Sequence, residues 1–301
     1  MRTNTKVPKK KSLVSQDSFW AYIFIAVALL IFIVFTLYPV LDALKISFQK
    51  YAPLGSTFIG LDNYKSIFTD KLFGKSLVNT LVYTALTVPL SIVISFAVSV
   101  LILPLKKWMQ TFFKALYYLP AVASGVALSV VWLWIYDPMS TGMFNRLLHL
   151  VGISNQNWLG SSKTAMLSLV IMSLLSSHGT SIIIYTAALL GIDESYYEAA
   201  ELDGASFFKK LYYIVIPLLK PTTLFLLVTG IIASFQVFQN AYMMTGGGPD
   251  NATTMVGLLI FNNAFTYFEY GKAAAQSLVL TAIIAIISLF QFKFLGSDVE
   301  Y

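Results

Sequence analysis

Six long apolar stretches dominate the pattern of hydrophobic and polar positions along the chain. Each has the length of about 20 residues that a helix needs to cross a hydrocarbon core of about 30 Å. The stretches lie at residues 20–41, 78–103, 113–136, 164–190, 222–244 and 273–292. The pattern therefore predicts an all-α, polytopic membrane protein with six transmembrane helices.

The first apolar stretch follows a basic tail, an arrangement that signal peptides share with membrane helices. The stretch is longer than the apolar region of a signal peptide, and no small-residue cleavage site follows it. We therefore expect a retained helix. The predicted organisation is a basic tail at residues 1–18, a six-helix domain at 19–295 and a short tail at 296–301.

The distribution of lysine and arginine predicts the orientation, because cytoplasmic loops carry more of them. Twelve lie on the side of the N-terminus: Arg2, Lys6, Lys9, Lys10, Lys11, Lys106, Lys107, Lys114, Lys209, Lys210, Lys220 and Lys293. Eight lie on the opposite side, in longer loops: Lys45, Lys50, Lys65, Lys71, Lys75, Arg146, Lys163 and Lys272. We expect both termini in the cytoplasm, and we attribute the net charge of +6 to this topology instead of to a nucleic-acid partner.

The amino-acid composition excludes several kinds of functional site. Only 11% of the 301 residues are charged, there is no cysteine, and there are two histidines. The missing cysteines exclude disulfides, thiolate metal sites and cysteine nucleophiles. No catalytic residue or metal ligand set is predicted.

The six stretches contain no Asp, Glu or Arg, and their one lysine, Lys114, lies at an edge. Ion-coupled transporters generally keep ionisable side chains at membrane depth, so this class is disfavoured. The segment Gly160-Ser161-Ser162-Lys163-Thr164 lacks the glycine spacing of a phosphate-binding loop. Energy for transport must then come from another polypeptide.

Neutral polar residues in the fourth and fifth stretches have two interpretations. Gln236, Gln239 and Asn240 are spaced to share one helical face, and His178 and Tyr185 lie in the preceding stretch. They could hydrogen-bond between helices, or they could line a pathway for an uncharged polar solute. The sequence leaves both interpretations open.

The loop at residues 191–221 concentrates acidic residues and then exposed aromatic ones. Asp193 or Ser195 is suited to cap a short helix, and Gly204 allows a sharp bend before Phe207 and Phe208. This arrangement favours a surface that docks a partner. The alternative is a helix that lies on lipid headgroups.

The same loop resembles the EAA loop in the membrane subunits of ABC importers. Glu198-Ala199-Ala200, Gly204 and Ile214-Val215-Ile216-Pro217 follow the pattern EAA, x3, G, x9, I-x-L-P, with Ile216 in place of leucine. The resemblance implies a type I ABC importer-like fold and a coupling helix that fits into a cleft of the ATPase subunit. The coupling residues it implies are Glu198, Ala199, Ala200, Asp203, Gly204, Phe207, Phe208 and Pro217.

Further motifs resemble carbohydrate importers, in particular the first of their two permease types. They include Tyr38-Pro39, Gly60-Leu61-Asp62-Asn63-Tyr64 and the run Thr245-Gly246-Gly247-Gly248-Pro249; Ser176-Ser177-His178-Gly179 departs from the family, which commonly has a tryptophan there. The resemblance implies a second homologous permease subunit, two ATPase subunits that bind ATP and Mg, and an extracytoplasmic solute-binding protein. It implies no cofactor on this chain and a bacterial plasma or inner membrane.

The run Gly246-Gly247-Gly248-Pro249 predicts a turn at the outer end of the fifth stretch. The apolar segment at 255–268 after it is too short to span, so we expect it to lie along or re-enter the outer surface. It is either an ordinary loop or an outer gate and binding-protein contact.

Taken together, the residues predict a subunit that passes a sugar or sugar-like solute and is not itself an enzyme. Two alternatives stay open: an importer for another solute, such as a polyol phosphate, and a passive channel. A membrane enzyme would need a cluster of acid, base or metal-binding groups, and the acids here cluster only in the EAA loop.

Overall fold

A computed structural model describes residues 16–51, 55–176 and 178–295. Most of the predicted tail at 1–18 and all of that at 296–301 lie outside these residues. Residues 16–18 already belong to the first helix.

Helices make up about three quarters of the described chain. The α-helices in chain order are α1 Gln16–Phe32, α2 Tyr38–Ser47, α3 Asp62–Thr69, α4 Lys71–Ile102, α5 Lys107–Val122, α6 Gly125–Ile135, α7 Met143–Leu150, α8 Ala165–Ser176, α9 Gly179–Leu190, α10 Glu194–Leu202, α11 Phe207–Lys210, α12 Ile216–Leu218, α13 Lys220–Phe235, α14 Gln239–Thr245, α15 Val256–Phe261 and α16 Tyr270–Leu295. Three turns of π-helix connect or extend these helices. The turn at Ile33–Leu37 joins α1 to α2, the turn at Leu211–Val215 joins α11 to α12, and the turn at Asn262–Thr266 extends α15. An antiparallel pair, β1 Gln49–Lys50 and β2 Thr57–Phe58, lies between α2 and α3.

Three of the predicted spans are continuous helices that are long and apolar enough to cross a membrane. They run over Trp20–Ser47, Lys71–Ile102 and Tyr270–Lys293. Their ends extend beyond the apolar stretches, because turns rich in charged and polar residues at the membrane surface continue the same helices.

The other three predicted spans are bent helix pairs instead of single straight helices. The bends are 100° between α5 and α6, 45° between α8 and α9, and 64° between the segment Phe207–Leu218 and α13. At the first bend, the last turn of α5 contains Pro120, and Ala123, the residue that follows the helix, has an extended backbone. The Ser124 hydroxyl then accepts a hydrogen bond from the Ala127 N–H and caps α6. Apolar periodicity alone does not show such breaks, because the residues on both sides remain apolar.

The helices pack around α4, which contacts α8, α9 and α13 along its length. Buried hydroxyls on α4, including those of Thr80, Ser95 and Ser99, allow this close packing. The first helix behaves differently: residues 20–41 are all exposed, and its contact with α16 comes through α2. The body of the domain is therefore formed by α2 to α16, with α1 standing apart from it.

Candidate functional site

A cavity of about 510 Å³ lies between α4, the bent pair α8–α9 and the segment α13–α14. Its polar lining consists of Tyr83, Thr87, Ser91, Ser173, Thr180, Ser181, Thr229, Ser234 and Asn240. Val88, Ile92, Ile184, Phe225, Leu226, Gly230, Ala233 and Val237 supply the apolar lining. This lining combines neutral hydrogen-bonding groups with apolar surface, which suits a polar solute without charge.

Close approach of α13 to α4 forms one wall of the cavity. The Ser234 hydroxyl donates to the Thr84 hydroxyl at 2.9 Å. A Cβ atom on Gly230 would lie 3.3 Å from the Val88 side chain, so that side chain would have to shift by a few tenths of an ångström. The wall therefore depends on small and hydroxyl-bearing residues, as is usual between membrane helices.

The structure corrects the expectation that Gln236, Gln239 and Asn240 share one helical face. The helix α13 ends at Phe235, and α14 begins at Gln239. Asn240 lines the cavity. Gln236 is exposed, and the side-chain amide of Gln239 lies against Gly125. Neither residue is among those that line the cavity.

His178 and Tyr185 are buried beside the cavity instead of facing it. The His178 Nδ1 atom lies 3.0 Å from the Ser91 Oγ and 3.3 Å from the Ser95 Oγ. The Tyr185 hydroxyl donates to the Thr223 Oγ1 at 3.0 Å. His178 therefore reaches the cavity lining only through Ser91, and Tyr185 joins α9 to α13.

Three lining residues on α4 went unrecognised in the sequence analysis. Tyr83, Thr87 and Ser91 are spaced four residues apart, which places them on one face of a helix. This hydroxyl stripe within an apolar stretch is the signal that could have identified them.

The first two bends and the break between α13 and α14 come together next to this cavity. A Cβ atom on Gly179 would lie 2.6 Å from the Tyr118 Cα, and one on Gly257 would lie 2.9 Å from the Val237 carbonyl oxygen. At Gly125, the nearby atoms belong to the Gln239 side chain, which can move. Close approach of backbone therefore requires glycine only at Gly179 and Gly257 among these three positions.

The loop at 191–221 forms the two short helices that its sequence predicts. The Asp193 carboxylate accepts a hydrogen bond from the Ser195 N–H at 2.8 Å and caps α10. Hydrogen bonds from the Ser195 side chain and N–H lower the pKa of Asp193. Gly204 has a φ of +69°, a left-handed conformation that turns the chain toward α11. Asp193, and not Ser195, is therefore the cap.

An ion pair joins the two short helices. The Lys210 Nζ donates to the Glu201 Oε1 at 2.6 Å, and this hydrogen bond and the lysine charge lower the pKa of Glu201. Behind the pair, a cavity of about 330 Å³ lies against Val100, Leu103, Pro104, Leu189, Tyr197, Phe207, Leu211 and Val215. Tyr197, Leu211 and Val215 also pack in one apolar cluster with Val100 and Leu189, so the ends of α4 and α9 support the loop.

The implied coupling residues lie on this loop, mostly at its surface. Phe207 and Phe208 are 57% and 77% exposed, with ring centroids 5.5 Å apart in an edge-to-face pair. Glu198, Ala199, Asp203, Gly204 and Pro217 are also exposed, and Ala200 is half-buried. Two phenyl rings beside exposed acids form a surface suited to a protein partner.

The outer turn at Gly246, Gly247, Gly248 and Pro249 is stabilised by side-chain hydrogen bonds. Gly246 and Gly247 have φ values of +58° and +90°. The Thr254 hydroxyl donates to the Gly247 carbonyl at 3.1 Å, and the Thr253 hydroxyl donates to the Gly248 carbonyl at 2.9 Å. The predicted turn is confirmed, and its geometry fixes the outer end of α14.

The apolar segment after the turn packs into the domain. Met255, Val256, Leu258 and Leu259 are buried, and α15 contacts both α4 and α16. The segment is too short to span, as predicted, but its apolar face belongs to the core. Within the described ranges, no three His, Asp or Glu side chains come together as a metal site.

Comparisons with known proteins agree with these features. Residues 72–295 match the family model of the binding-protein-dependent transport system inner membrane component. The arabinooligosaccharides transport system permease protein AraP of Bacillus subtilis (strain 168) is 32% identical, and the match covers 92% of this chain and 88% of AraP. The lactose transport system permease protein LacF of Rhizobium radiobacter is 31% identical over 90% of this chain and 92% of LacF.

Another similar permease is named for a phosphorylated solute instead of a sugar. The sn-glycerol-3-phosphate transport system permease protein UgpA of Yersinia pestis is 31% identical over 94% of this chain and 96% of UgpA. In a crystal structure of a bacterial ABC transporter for alginate import, one chain superposes with a TM-score of 0.82 at 21% identity, over 95% of this chain and 98% of that chain.

The superposition shows that the fold is that of a type I ABC importer permease. The family match covers the cavity, the EAA loop and the outer turn. The chain belongs to the family of binding-protein-dependent transport system inner membrane components and is a membrane subunit of an importer of this kind.

Proposed function

We propose that this chain forms one half of the channel of an ATP-driven importer for an uncharged saccharide. An extracytoplasmic binding protein delivers the solute, and a separate ATPase drives its passage. The observation that carries the proposal is the exposed, ordered EAA loop with Phe207 and Phe208 at its surface. Such a loop has no evident purpose in a subunit that works without a cytoplasmic partner.

The solute class follows from the chemistry of the cavity at α4, α8–α9 and α13–α14. Its lining residues are neutral, with hydroxyl, phenol and amide groups beside apolar surface. Sugars present hydroxyls at the edges and apolar C–H groups on the faces of their rings, so this lining complements them. An importer for a polyol phosphate is the alternative, because UgpA is similarly related. The cavity lining offers no cationic side chain for a phosphate, which favours the neutral saccharide.

A second homologous permease subunit completes the channel in this proposal. Its support is the first span, whose residues 20–41 are exposed and apolar although they belong to a helix anchored on the body through α2. A membrane helix that stands apart from its own domain can pack against a neighbouring subunit as well as against lipid. The lysine and arginine distribution favours a cytoplasmic position for both termini and the EAA loop.

Coupling requires that the ATPase hold the EAA loop differently in its two nucleotide states. A partner shifts a conformational equilibrium only by its difference in affinity for the two conformations. ATP and Mg belong to the ATPase subunits, and this chain supplies the mechanical connection. The pair of short helices, joined by Gly204 and by the Glu201–Lys210 ion pair, can move as one unit because both contacts lie within the loop.

The test is uptake by the complete complex in liposomes, with the binding protein outside and ATP inside. Arabinotriose and lactose serve as neutral probes, and an alginate oligomer and glycerol 3-phosphate serve as anionic ones. We expect ATP-dependent uptake of a neutral probe and strongly reduced uptake by Gly204→Trp, with unchanged binding of solute to the binding protein. Uptake without ATP would identify a passive channel, and uptake of anionic probes alone would contradict the solute class.

A further inference from the structure

Helix α7 in the outer loop exposes a stripe of apolar side chains. Met143, Leu147 and Leu150 are 45%, 50% and 82% exposed. Their spacing of four and three residues places them on one face of the helix. Val151, which directly follows the helix, is 70% exposed and extends the stripe. An apolar surface of this extent on an ordered helix calls for an apolar environment.

The opposite face of α7 is firmly attached to the domain. Asn145 is fully buried, and its Nδ2 donates to the Asp137 carbonyl at 3.0 Å and to the Gln156 carbonyl at 3.1 Å. Its Oδ1 accepts from the Trp158 Nε1 at 3.0 Å. The Phe144 ring packs edge-on against Tyr136, with centroids 5.3 Å apart. The orientation of α7 is therefore fixed, and its stripe faces away from the protein.

The position and charge of α7 indicate what covers the stripe. The loop that contains it connects α6 to α8, two segments of bent spans, so α7 lies close to the membrane surface. Trp134 in the last turn of α6 is 56% exposed, as is typical of a side chain at the membrane interface. Exposed Arg146 borders the stripe on α7. A helix with an apolar face and a basic edge is typical of one that lies in the lipid headgroup region.

We propose that α7 is an interfacial helix on the outer leaflet of the membrane. Met143, Leu147 and Leu150 are buried at the boundary between headgroups and acyl chains, and Arg146 lies among the lipid phosphates. This contact holds the loop at 137–164 at a fixed height above the membrane. The bound surface is lipid, and not the solute-binding protein.

This chain has no native cysteine, so a single introduced cysteine is its one labelling site when the partner subunits are cysteine-free variants. Leu147→Cys and Leu150→Cys are labelled with the environment-sensitive fluorophore NBD, and Ser154→Cys, at an exposed polar position of the same loop, is the control. The complete complex is reconstituted in vesicles of phosphatidylethanolamine and phosphatidylglycerol. Quenching is measured with doxyl-labelled lipid and with aqueous iodide, before and after addition of the binding protein.

We expect a blue-shifted emission at 147 and 150, with quenching by doxyl lipid several-fold stronger than at 154. Quenching by iodide should dominate at 154. If iodide quenches the label at 147 and 150 as it does at 154, the stripe lies in water and the proposal is wrong. Protection from both quenchers would show a protein partner and would equally overturn it. If one leucine variant fails to assemble, Met143→Cys tests the same stripe. Uptake by the labelled complexes reports separately on the proposed function.

Discussion

The outer turn and the EAA loop both bend the chain at left-handed glycines, but different contacts stabilise them. At the outer turn, the Asn79 amide on α4 donates to the carbonyls of Asn251 and Thr254 at 2.9 and 3.0 Å, and the Lys75 Nζ donates to the Asp250 carbonyl. Elements far apart in sequence are thereby joined. In the EAA loop, the Asp193 cap and the Glu201–Lys210 pair connect residues of the loop itself.

The outer turn is stabilised by contacts within this chain, whereas the apolar surface of the EAA loop needs a partner to cover it. The outer turn continues into the buried residues Met255 and Val256. The Val256 N–H donates to the Thr80 Oγ1 on α4 at 3.0 Å, and the Met255 Sδ lies 3.9 Å from the same oxygen. The EAA loop, in contrast, exposes the aromatic rings of Phe207 and Phe208 at its surface. We infer that substitutions in the outer region act mainly on folding, whereas substitutions in the EAA loop act mainly on coupling.

The largest expected effect on folding comes from Gly271 at the outer start of α16. A Cβ atom there would lie 2.0 Å from the Gln49 carbonyl oxygen and 2.8 Å from the Asn63 Nδ2. Gly271→Ala should therefore destabilise the protein by about 3 kcal/mol, the upper end for overpacking. The measurement is the melting temperature of the purified complex.

Gly204→Ala is the matched control in the EAA loop. A Cβ atom on Gly204 meets no atom within 4 Å, so only the left-handed backbone opposes it, at a cost of about 1 to 2 kcal/mol. If Gly204→Ala destabilised the protein as much as Gly271→Ala, the contrast between the two regions would be wrong.

Asn79→Ala should have the next largest effect. It leaves the carbonyls of Asn251 and Thr254 without the amide donor, and the loss of such bonds costs about 1 to 3 kcal/mol. Asn155→Ala removes one exposed contact to His149 and should change stability by less than about 0.5 kcal/mol. Equal melting temperatures for the two variants would show that the outer turn is not stabilised from α4.

Breaking the Glu201–Lys210 pair should affect transport more than stability. Glu201 is largely exposed, and exposed pairs contribute little to stability because water and salt screen them. Glu201→Gln should leave the melting temperature nearly unchanged and reduce uptake per ATP hydrolysed. The exchange Glu201→Lys with Lys210→Glu should restore part of the uptake. Unchanged coupling in Glu201→Gln would remove the pair from the mechanism.

The smallest predicted effect concerns acid stability at the outer surface. Asp70, which precedes α4, pairs with Lys272 at 3.0 Å. Burial by itself raises the pKa of Asp70. The hydrogen bond and the charge of Lys272, together with hydrogen bonds from the Leu72 and Phe73 N–H groups, outweigh this effect, so the pKa is lowered overall. A lowered carboxyl pKa stabilises the fold above the ordinary value and ceases to do so as pH falls through the lowered value.

Wild-type protein should therefore lose slightly more stability than Asp70→Asn between about pH 5 and about pH 3. The expected difference is below about 1 kcal/mol. Melting temperatures across this range provide the measurement. Parallel curves for the two proteins would show that the ion pair does not contribute.

The sequence predicted the apolar segments, the short helices of the EAA loop and the outer turn, because each has a local signal. Uniformly apolar stretches identify the membrane segments, and Asp193, Gly204 and Pro217 mark the ends of the loop helices. The bends within three spans were not predicted. They depend on contacts between distant segments, such as Gly179 against Tyr118, that no local pattern contains.

The cavity could be predicted only in part for the same reason. Asn240 was identified, whereas Gln236 and Gln239 were assigned to the same face on the assumption of a continuous helix. The hydroxyl stripe of Tyr83, Thr87 and Ser91 has a helical spacing, but many such stripes only pack helices together. Its role becomes visible once α4 is placed against α9 and α13.

The most direct test of the EAA loop as the coupling surface compares two equally exposed phenylalanines. Phe208 in the loop is 77% exposed, and Phe58 in β2 at the outer surface is 76% exposed. Binding of the purified ATPase subunit to membranes that contain the permease subunits is measured for Phe208→Ala and Phe58→Ala. We predict that Phe208→Ala weakens binding about tenfold or more, equivalent to at least ~1.4 kcal/mol, and that Phe58→Ala binds as wild type does. Equal ATPase affinity for both variants, with normal ATP-dependent uptake, would contradict the coupling role of this loop.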